Sequence, residues 1–170
     1  GKTFGYAVTD SPLGPLLVAA TQKGICRLTF DEDESALRRR FPNADIRPDD
    51  GTIAPWVEGA LQAINAPQSA PELPIDVHGT AFQEAVWQEL RKIPLGETRS
   101  YADIARAVGD PNATRAVGTA NGKNPIAVLV PCHRVIRSDG TLGGYAGGLD
   151  RKKQLLAAEG AAIRQPALDL

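Results

Sequence analysis

Methionine is absent from this chain of 170 residues, and cysteine and histidine occur twice each. Two widely separated cysteines, Cys26 and Cys132, make no disulfide framework. They suit a reducing compartment in which a free thiol survives. So few Cys and His, so far apart, match no zinc spacing, and no metal site is expected. No glycine-rich phosphate-binding motif occurs, so no nucleotide or other cofactor is expected. No apolar run approaches the ~18 residues of a membrane span, and the start lacks a signal-peptide pattern. We therefore expect an intracellular protein, cytoplasmic in a bacterium or otherwise nuclear, with no membrane partner. The chain begins at Gly1 without an initiator, which leaves room for a removed upstream segment.

What is present suits a folded globular protein. Apolar residues make up 42% of the chain, and the length accommodates one ordinary domain or two small ones. The net charge of −1 hides an asymmetry, since residues 1–79 carry 7 basic against 11 acidic groups and residues 80–160 carry 11 against 8. A polyanionic partner would meet the second part.

The first part reads as α/β. Strands are expected at Gly5–Val8, Pro15–Ala20 and Gly24–Phe30, the first two separated by a turn at Ser11–Gly14, forming a small antiparallel meander. Cys26 falls in the third strand, where core packing explains it better than chemistry. Helical spacing follows over Ser35–Phe41 and Ile53–Ile64. Three prolines within Ala66–Pro74 mark a linker, so domains are expected at 1–75 and 76–170. Beyond it, Thr80 with Gln83 and Ser100 with Asp103 make two capping boxes, each opening an apolar helical stripe. Gly109 closes the second helix, and a third is expected over about Ala113–Asn121. Two short helices joined by a tight turn containing glycine form a helix-turn-helix pattern.

Chemistry concentrates in Pro131-Cys132-His133-Arg134-Val135. The preceding apolar run Ile126–Val130 predicts a buried strand with Cys132 presented at its end. A thiol becomes nucleophilic as its thiolate and needs a base nearby, and His133 is the candidate. Neighbouring side chains in an extended segment point apart, so His133 would reach Cys132 through a water or a bend. On the pentapeptide alone, a structural cysteine followed by a solvated His-Arg pair reads equally well. The third helix adds a separate clue. Arg115 is its one long side chain among Ala113, Thr114, Ala116, Val117, Gly118 and Thr119. Such a helix has few groups to read base edges in a major groove. Its small residues allow close approach to a minor groove, with Arg115 entering the groove or the base stack. Tight packing with a solvated Arg115 is the alternative.

Pro131–Val135, together with Tyr101, Arg115, Asn124, the run Gly143-Gly144-Tyr145-Ala146-Gly147-Gly148 and Glu159, resembles the O6-alkylguanine-DNA alkyltransferase family, closely from about Gly79 to Gly160 and loosely through Ser11–Pro15. The resemblance implies a ribonuclease-H-like amino-terminal domain and a mainly helical, winged helix-turn-helix domain that carries the active site. It implies direct, single-turnover transfer of an alkyl group from O6 of a flipped-out guanine, with O4 of thymine as a further substrate, to Cys132. By the same resemblance His133 is the base through a water, Glu159 orients it, Tyr101 donates toward guanine N3, and Asn124 braces the turn before the cysteine. Val135, Tyr145, Ala146 and Gly147 would form the guanine pocket. Tyr101, Ala102, Arg115, Ala116 and Ser138 would meet DNA, with Arg115 filling the space of the rotated-out nucleotide. Arg134 and Arg137 would make structural ion pairs or phosphate contacts. Many relatives carry a hydroxyl residue in place of Ala146, and some bacterial ones differ at Gly147-Gly148. The implied partner is double-stranded DNA, bound by a monomer through the minor groove without sequence preference. A non-catalytic damage sensor and a helix-turn-helix transcription regulator are the alternatives, the former disfavoured by the presence of Cys132.

Overall fold

The structure, a computed structural model, describes residues 3–161. These residues form two compact units, one running to Val77 and including Pro125–Leu129, the other formed by His78–Asn124 and the residues from Val130 onward.

The first unit is built on a four-stranded sheet. β1 (Thr3–Ser11), β2 (Gly14–Thr21) and β3 (Gly24–Phe30) form the expected antiparallel meander. A fourth strand, β4 (Asp45–Pro48), pairs parallel with β1, giving the order β3-β2-β1-β4. It escaped the sequence pattern because only Ile46 of its four residues is buried, as suits a short edge strand. Central β2 is buried from Leu16 to Ala20, which explains its unbroken apolar run. Helices α1 (Glu34–Arg40, capped by Asp33) and α2 (Ala54–Asn65) complete this unit. Cys26 packs among Phe4, Leu17, Ala19, Leu37 and Ile46.

The proline-rich segment after α2 is fixed to β3. Ile25 N–H donates to Pro74 O at 3.0 Å, and Asp76 N–H donates to Ile25 O at 2.8 Å. Only glycine allows this approach, because a Cβ at Gly24 would stand 2.6 Å from the Pro74 oxygen. Pro125–Leu129 meets the same strand further along, with Leu28 N–H donating to Pro125 O and Ala127 N–H to Leu28 O, each at 2.9 Å.

That geometry corrects one expectation. Ile126–Val130 is no strand: Ile126 alone bridges to Leu28, and the chain then turns through Val128 at φ 70°. Cys132 therefore opens a single 3-10 turn, Cys132–Arg134, rather than ending a strand. Pro125 and Pro131 bracket the segment and lack the N–H donors that an extended ladder requires.

The second unit is mainly helical. α3 (Ala81–Arg91) and α4 (Tyr101–Ala107) begin at the two capping boxes, and both reciprocal bonds are formed in each. Gly109 follows α4 at φ 85°. α5 (Thr114–Gly122) is set one residue later than its pattern suggested. Trp87 on α3 donates its indole N–H to Ala120 O on α5 at 2.9 Å, fixing the two helices together. β5 (Arg99–Ser100) and β6 (Val135–Ile136) pair parallel, and α6 (Leu149–Ala158) closes the described unit. The short ladder sets Val135, just after the cysteine turn, beside Arg99, just before the start of α4, where Tyr101 stands.

Candidate active site

Four polar residues are buried among the described residues: Asn121, His133, Lys152 and Glu159. All four gather around Cys132, which is itself 5% exposed. Burying polar groups is costly unless each finds a partner, so their concentration around one thiol marks the chemical centre of the molecule.

Glu159 organises this cluster. It follows the last residue of α6 and turns its carboxylate back into the unit. Oε2 lies 2.8 Å from Nε2 of His133, and Arg134 grips both oxygens, Nε to Oε1 at 2.8 Å and Nη2 to Oε2 at 3.0 Å. Arg134 also donates from Nη1 to Ile93 O at 2.8 Å. Burial works to raise the Glu159 pKa, but the bonds from His133 and Arg134 outweigh it and hold the carboxyl below its ordinary value. Burial also pushes the His133 pKa down, against the opposing pull of Glu159. The resting pair is thus a carboxylate and a neutral imidazole. With Nε2–H donating to Glu159, the other nitrogen, Nδ1, is the acceptor, and it has no partner among the described residues. Arg134, expected in an ion pair or on phosphate, is in the ion pair.

The Cys132 thiol is pushed up by burial, while a hydrogen bond with Asn124 and the charge of Lys152 draw it down. Asn124 also donates from Nδ2 to Val130 O at 2.8 Å and so spans the turn that leads to the cysteine. Asn121 adds a 3.3 Å bond to the Cys132 carbonyl. The sequence reading missed Asn121 and Lys152. Asn121 stands one turn beyond buried Val117 on α5, a placement that could have marked it as inward-facing. Lys152 lies within Arg151-Lys152-Lys153, a run that reads as solvated.

A cleft of about 990 Å³ opens beside this cluster, lined in part by Tyr101, Arg115, Asn121, Arg137, Tyr145 and Ala146. Burial raises the pKa of both Tyr101 and Tyr145, so both hydroxyls keep their protons at neutral pH. Gly143, at φ 70°, brings its loop onto Tyr101, where a Cβ would lie 2.9 Å from the phenol oxygen. Val135 is buried, and its carbonyl accepts from Lys152 at 2.7 Å. The Gly147 carbonyl accepts from Arg151 at 3.1 Å. Exposed Arg115 and Ala116 lie on α5, exposed Ser138 lies in the turn after β6, and half-buried Ala102 follows Tyr101. Of the expected DNA contacts, Tyr101 and Arg115 line the cleft, while Ala102, Ala116 and Ser138 do not. Among the described residues, no group of three or more His, Cys, Asp or Glu is placed to hold a metal ion, and no helix is long and apolar enough to cross a membrane.

Comparison with known proteins gives this arrangement a family. Residues 5–66 match "6-O-methylguanine DNA methyltransferase, ribonuclease-like domain", and residues 81–161 match the DNA binding domain of the same family. The chain belongs to the 6-O-methylguanine DNA methyltransferase family. It is 46% identical to the bifunctional transcriptional activator/DNA repair enzyme Ada of Escherichia coli over 91% of this chain but 45% of that protein. It thus spans about half the length of such relatives. The methylated-DNA–protein-cysteine methyltransferase of Methanosarcina acetivorans is 40% identical over 92% of this chain and 98% of its own. Among solved structures, Mycobacterium tuberculosis OGT in complex with DNA is 40% identical with a TM-score of 0.80, covering 93% of this chain and 92% of that one. Membership confirms the α/β ribonuclease-like domain followed by a helical DNA-binding domain.

Proposed function

We propose that this chain repairs alkylated DNA by direct, single-turnover transfer of an alkyl group from O6 of guanine to Cys132. The observation that carries this reading is the buried Cys132, followed by a neutral His133 held by Glu159, with a cleft nearby whose lining residues Tyr101 and Tyr145 lie within electrostatic reach of the thiol. In a duplex the O6 substituent lies within the stack, so the nucleotide must rotate out to reach the thiol. The thiol proton passes to His133 Nδ1 through a water, and Glu159 stabilises the resulting imidazolium. The sulfur then attacks the alkyl carbon as the carbon–O6 bond breaks, and its electron pair leaves on guanine. The departing base takes a proton from the Tyr101 hydroxyl, which solvent restores. A thioether offers water no good leaving group, so the reaction ends there. Val135, Tyr145, Ala146 and Gly147 hold the base through backbone groups and the Tyr145 ring, and Asn124 keeps the cysteine turn in register. The duplex is bound by a monomer through the minor groove, with Ala102 and Ala116 permitting close approach and Ser138 meeting phosphate. With Arg115 as the one long side chain on α5, undamaged sequences are bound nearly alike.

Intact mass tests this reading. After incubation with O6-benzylguanine the protein should gain one benzyl group, mapped to Cys132, and Cys132→Ser should gain none. A benzyl group on Cys26, or more than one per chain, would overturn the mechanism.

Arg115 separates extrusion from chemistry. Arg115→Ala should slow repair of an O6-methylguanine duplex about tenfold or more, because extrusion costs a few kcal/mol and the arginine occupies the vacated space. Reaction with free O6-benzylguanine should change less than twofold. Equal losses on both substrates would make Arg115 a structural residue.

A further inference from the structure

We propose that Arg137 is a positioning residue for the transfer reaction, its guanidinium stabilising the tyrosinate that Tyr101 becomes on giving its proton to the departing guanine. This inference rests on the donor role proposed for Tyr101.

Two charged residues, Arg115 and Arg137, are among those that line the cleft, and no acid is. Both are exposed. Arg115 lies on α5 and is assigned to the space of the extruded nucleotide. Arg137 directly follows β6, and its backbone closes the next turn, its N–H donating to Thr141 O and its carbonyl accepting from Gly140 N–H, each at 2.9 Å. That turn leads into Gly143 and Gly144, the loop that packs on Tyr101. Arg137 was expected in an ion pair or on phosphate. Arg134 is held by Glu159 and Ile93 O, whereas the Arg137 guanidinium has no ion pair among the described residues. Its charge acts on the cleft, where it stands within electrostatic reach of the Tyr101 hydroxyl.

The proposed chemistry creates an anion at this hydroxyl. When the Tyr101 O–H bond breaks, the proton goes to the departing guanine and the electron pair stays on the phenol oxygen. Burial opposes that anion and raises the Tyr101 pKa, and the neighbouring Cys132 raises it further. The Arg137 charge and the Gly144 N–H work in the opposite direction. A fixed cation and a fixed donor beside an oxygen that gains charge lower the barrier without reorganising. The balance leaves Tyr101 protonated at rest, as a donor must be, while Arg137 eases the departure of its proton. In open solvent one exposed cation acts weakly, because salt and water screen it. An extruded base that fills the cleft displaces water and strengthens the pull. Tyr145, the other phenol on the cleft wall, stays neutral near pH 7 and offers no competing charge.

Arg137→Gln removes the charge at an exposed position that the fold tolerates, and Arg137→Lys restores it. Free O6-benzylguanine carries no phosphate, so loss of a phosphate anchor would leave its rate unchanged. Arg137→Gln should slow benzyl transfer from the free base about threefold, the size expected of one screened charge. Arg137→Lys should recover most of the rate. In a Tyr101→Phe background, where no phenol proton is given, Arg137→Gln should change the rate by less than about 1.5-fold. The second readout is the titration of Tyr101 itself, followed by its fluorine resonance after fluorotyrosine incorporation. The chain has three tyrosines, assigned through Tyr6→Phe, Tyr101→Phe and Tyr145→Phe. Arg137→Gln should move the Tyr101 midpoint up by about half a pH unit, and Arg137→Lys should move it back. A loss confined to duplex DNA would make Arg137 a phosphate contact and overturn the proposal. So would an equal loss with and without the Tyr101 hydroxyl, or an unmoved Tyr101 midpoint. Failure of the wild type to take a benzyl group would instead refute the assigned function, and the Tyr101 titration would still decide whether Arg137 acts on the phenol.

Discussion

Glu159→Ala is expected to destabilise the protein by about 3–5 kcal/mol, the cost of removing one partner from a buried ion pair. The carboxylate side chain is 2% exposed and satisfies Arg134 at both oxygens and His133 at one. Without it the guanidinium keeps, among the described residues, only its bond to Ile93 O, in a position that excludes solvent to 14% side-chain exposure. For a chain of this size the loss corresponds to a melting temperature lower by roughly 6–20 °C. Urea denaturation should show a lower midpoint at unchanged slope. Acid provides an independent check. A carboxyl whose folded pKa is depressed contributes stability that is complete above its ordinary value of 4.5 and lost as pH falls through the folded value. The difference between wild type and Glu159→Ala should therefore narrow as pH falls below that ordinary value of 4.5. A loss under ~1 kcal/mol at pH 7 would place Glu159 with the weak surface pairs. Alkyl transfer should fall together with stability, because His133 loses the group that fixes its ring and charge.

Alkylation of Cys132 should itself lower the melting temperature by several degrees. The sulfur sits in a turn whose backbone is bound by Asn121 and whose side chain is bound by Asn124, so an added group must displace packed atoms. Overpacking of this kind typically costs ~1–3 kcal/mol. A thioether also loses the S–H donor and can no longer become a thiolate. Benzyl should cost more than methyl unless its ring stays in the open cleft. Differential scanning fluorimetry on free, methylated and benzylated protein measures this, and an unchanged or raised melting temperature would falsify it.

The sequence carried some parts of this architecture better than others. Both capping boxes were legible because Thr80–Gln83 and Ser100–Asp103 encode reciprocal bonds within four residues. The three strands of the meander were legible from their apolar runs. β4 was not, because an edge strand with one buried residue leaves almost no periodic signal. The segment 126–130 misled because its apolar residues are buried by a turn, and burial alone does not distinguish a turn from a strand. At the site, Cys132, His133, Tyr101 and Arg115 stood out by residue type and order. Lys152 did not, since a basic side chain in a charged run looks solvated until tertiary contacts enclose it, and the acid that pairs with Arg134 could not be read from its neighbours. The ion pair of Arg134 spans 25 residues, and a carbonyl bond of Lys152 spans 17. Such distances lie beyond any local pattern.

The placement of Glu159 also bears on when the thiol becomes active. His133 and the carboxylate that holds it are 26 residues apart, and α6 must be folded for them to meet. At a synthesis rate of about 5–20 residues per second, a growing chain carries Cys132 for roughly one to five seconds before its partner has been made. During that interval the thiol is an ordinary one, with no fixed base and no opposing charge. On the proposed single-turnover mechanism, Cys132 is thereby kept unactivated until α6 has folded.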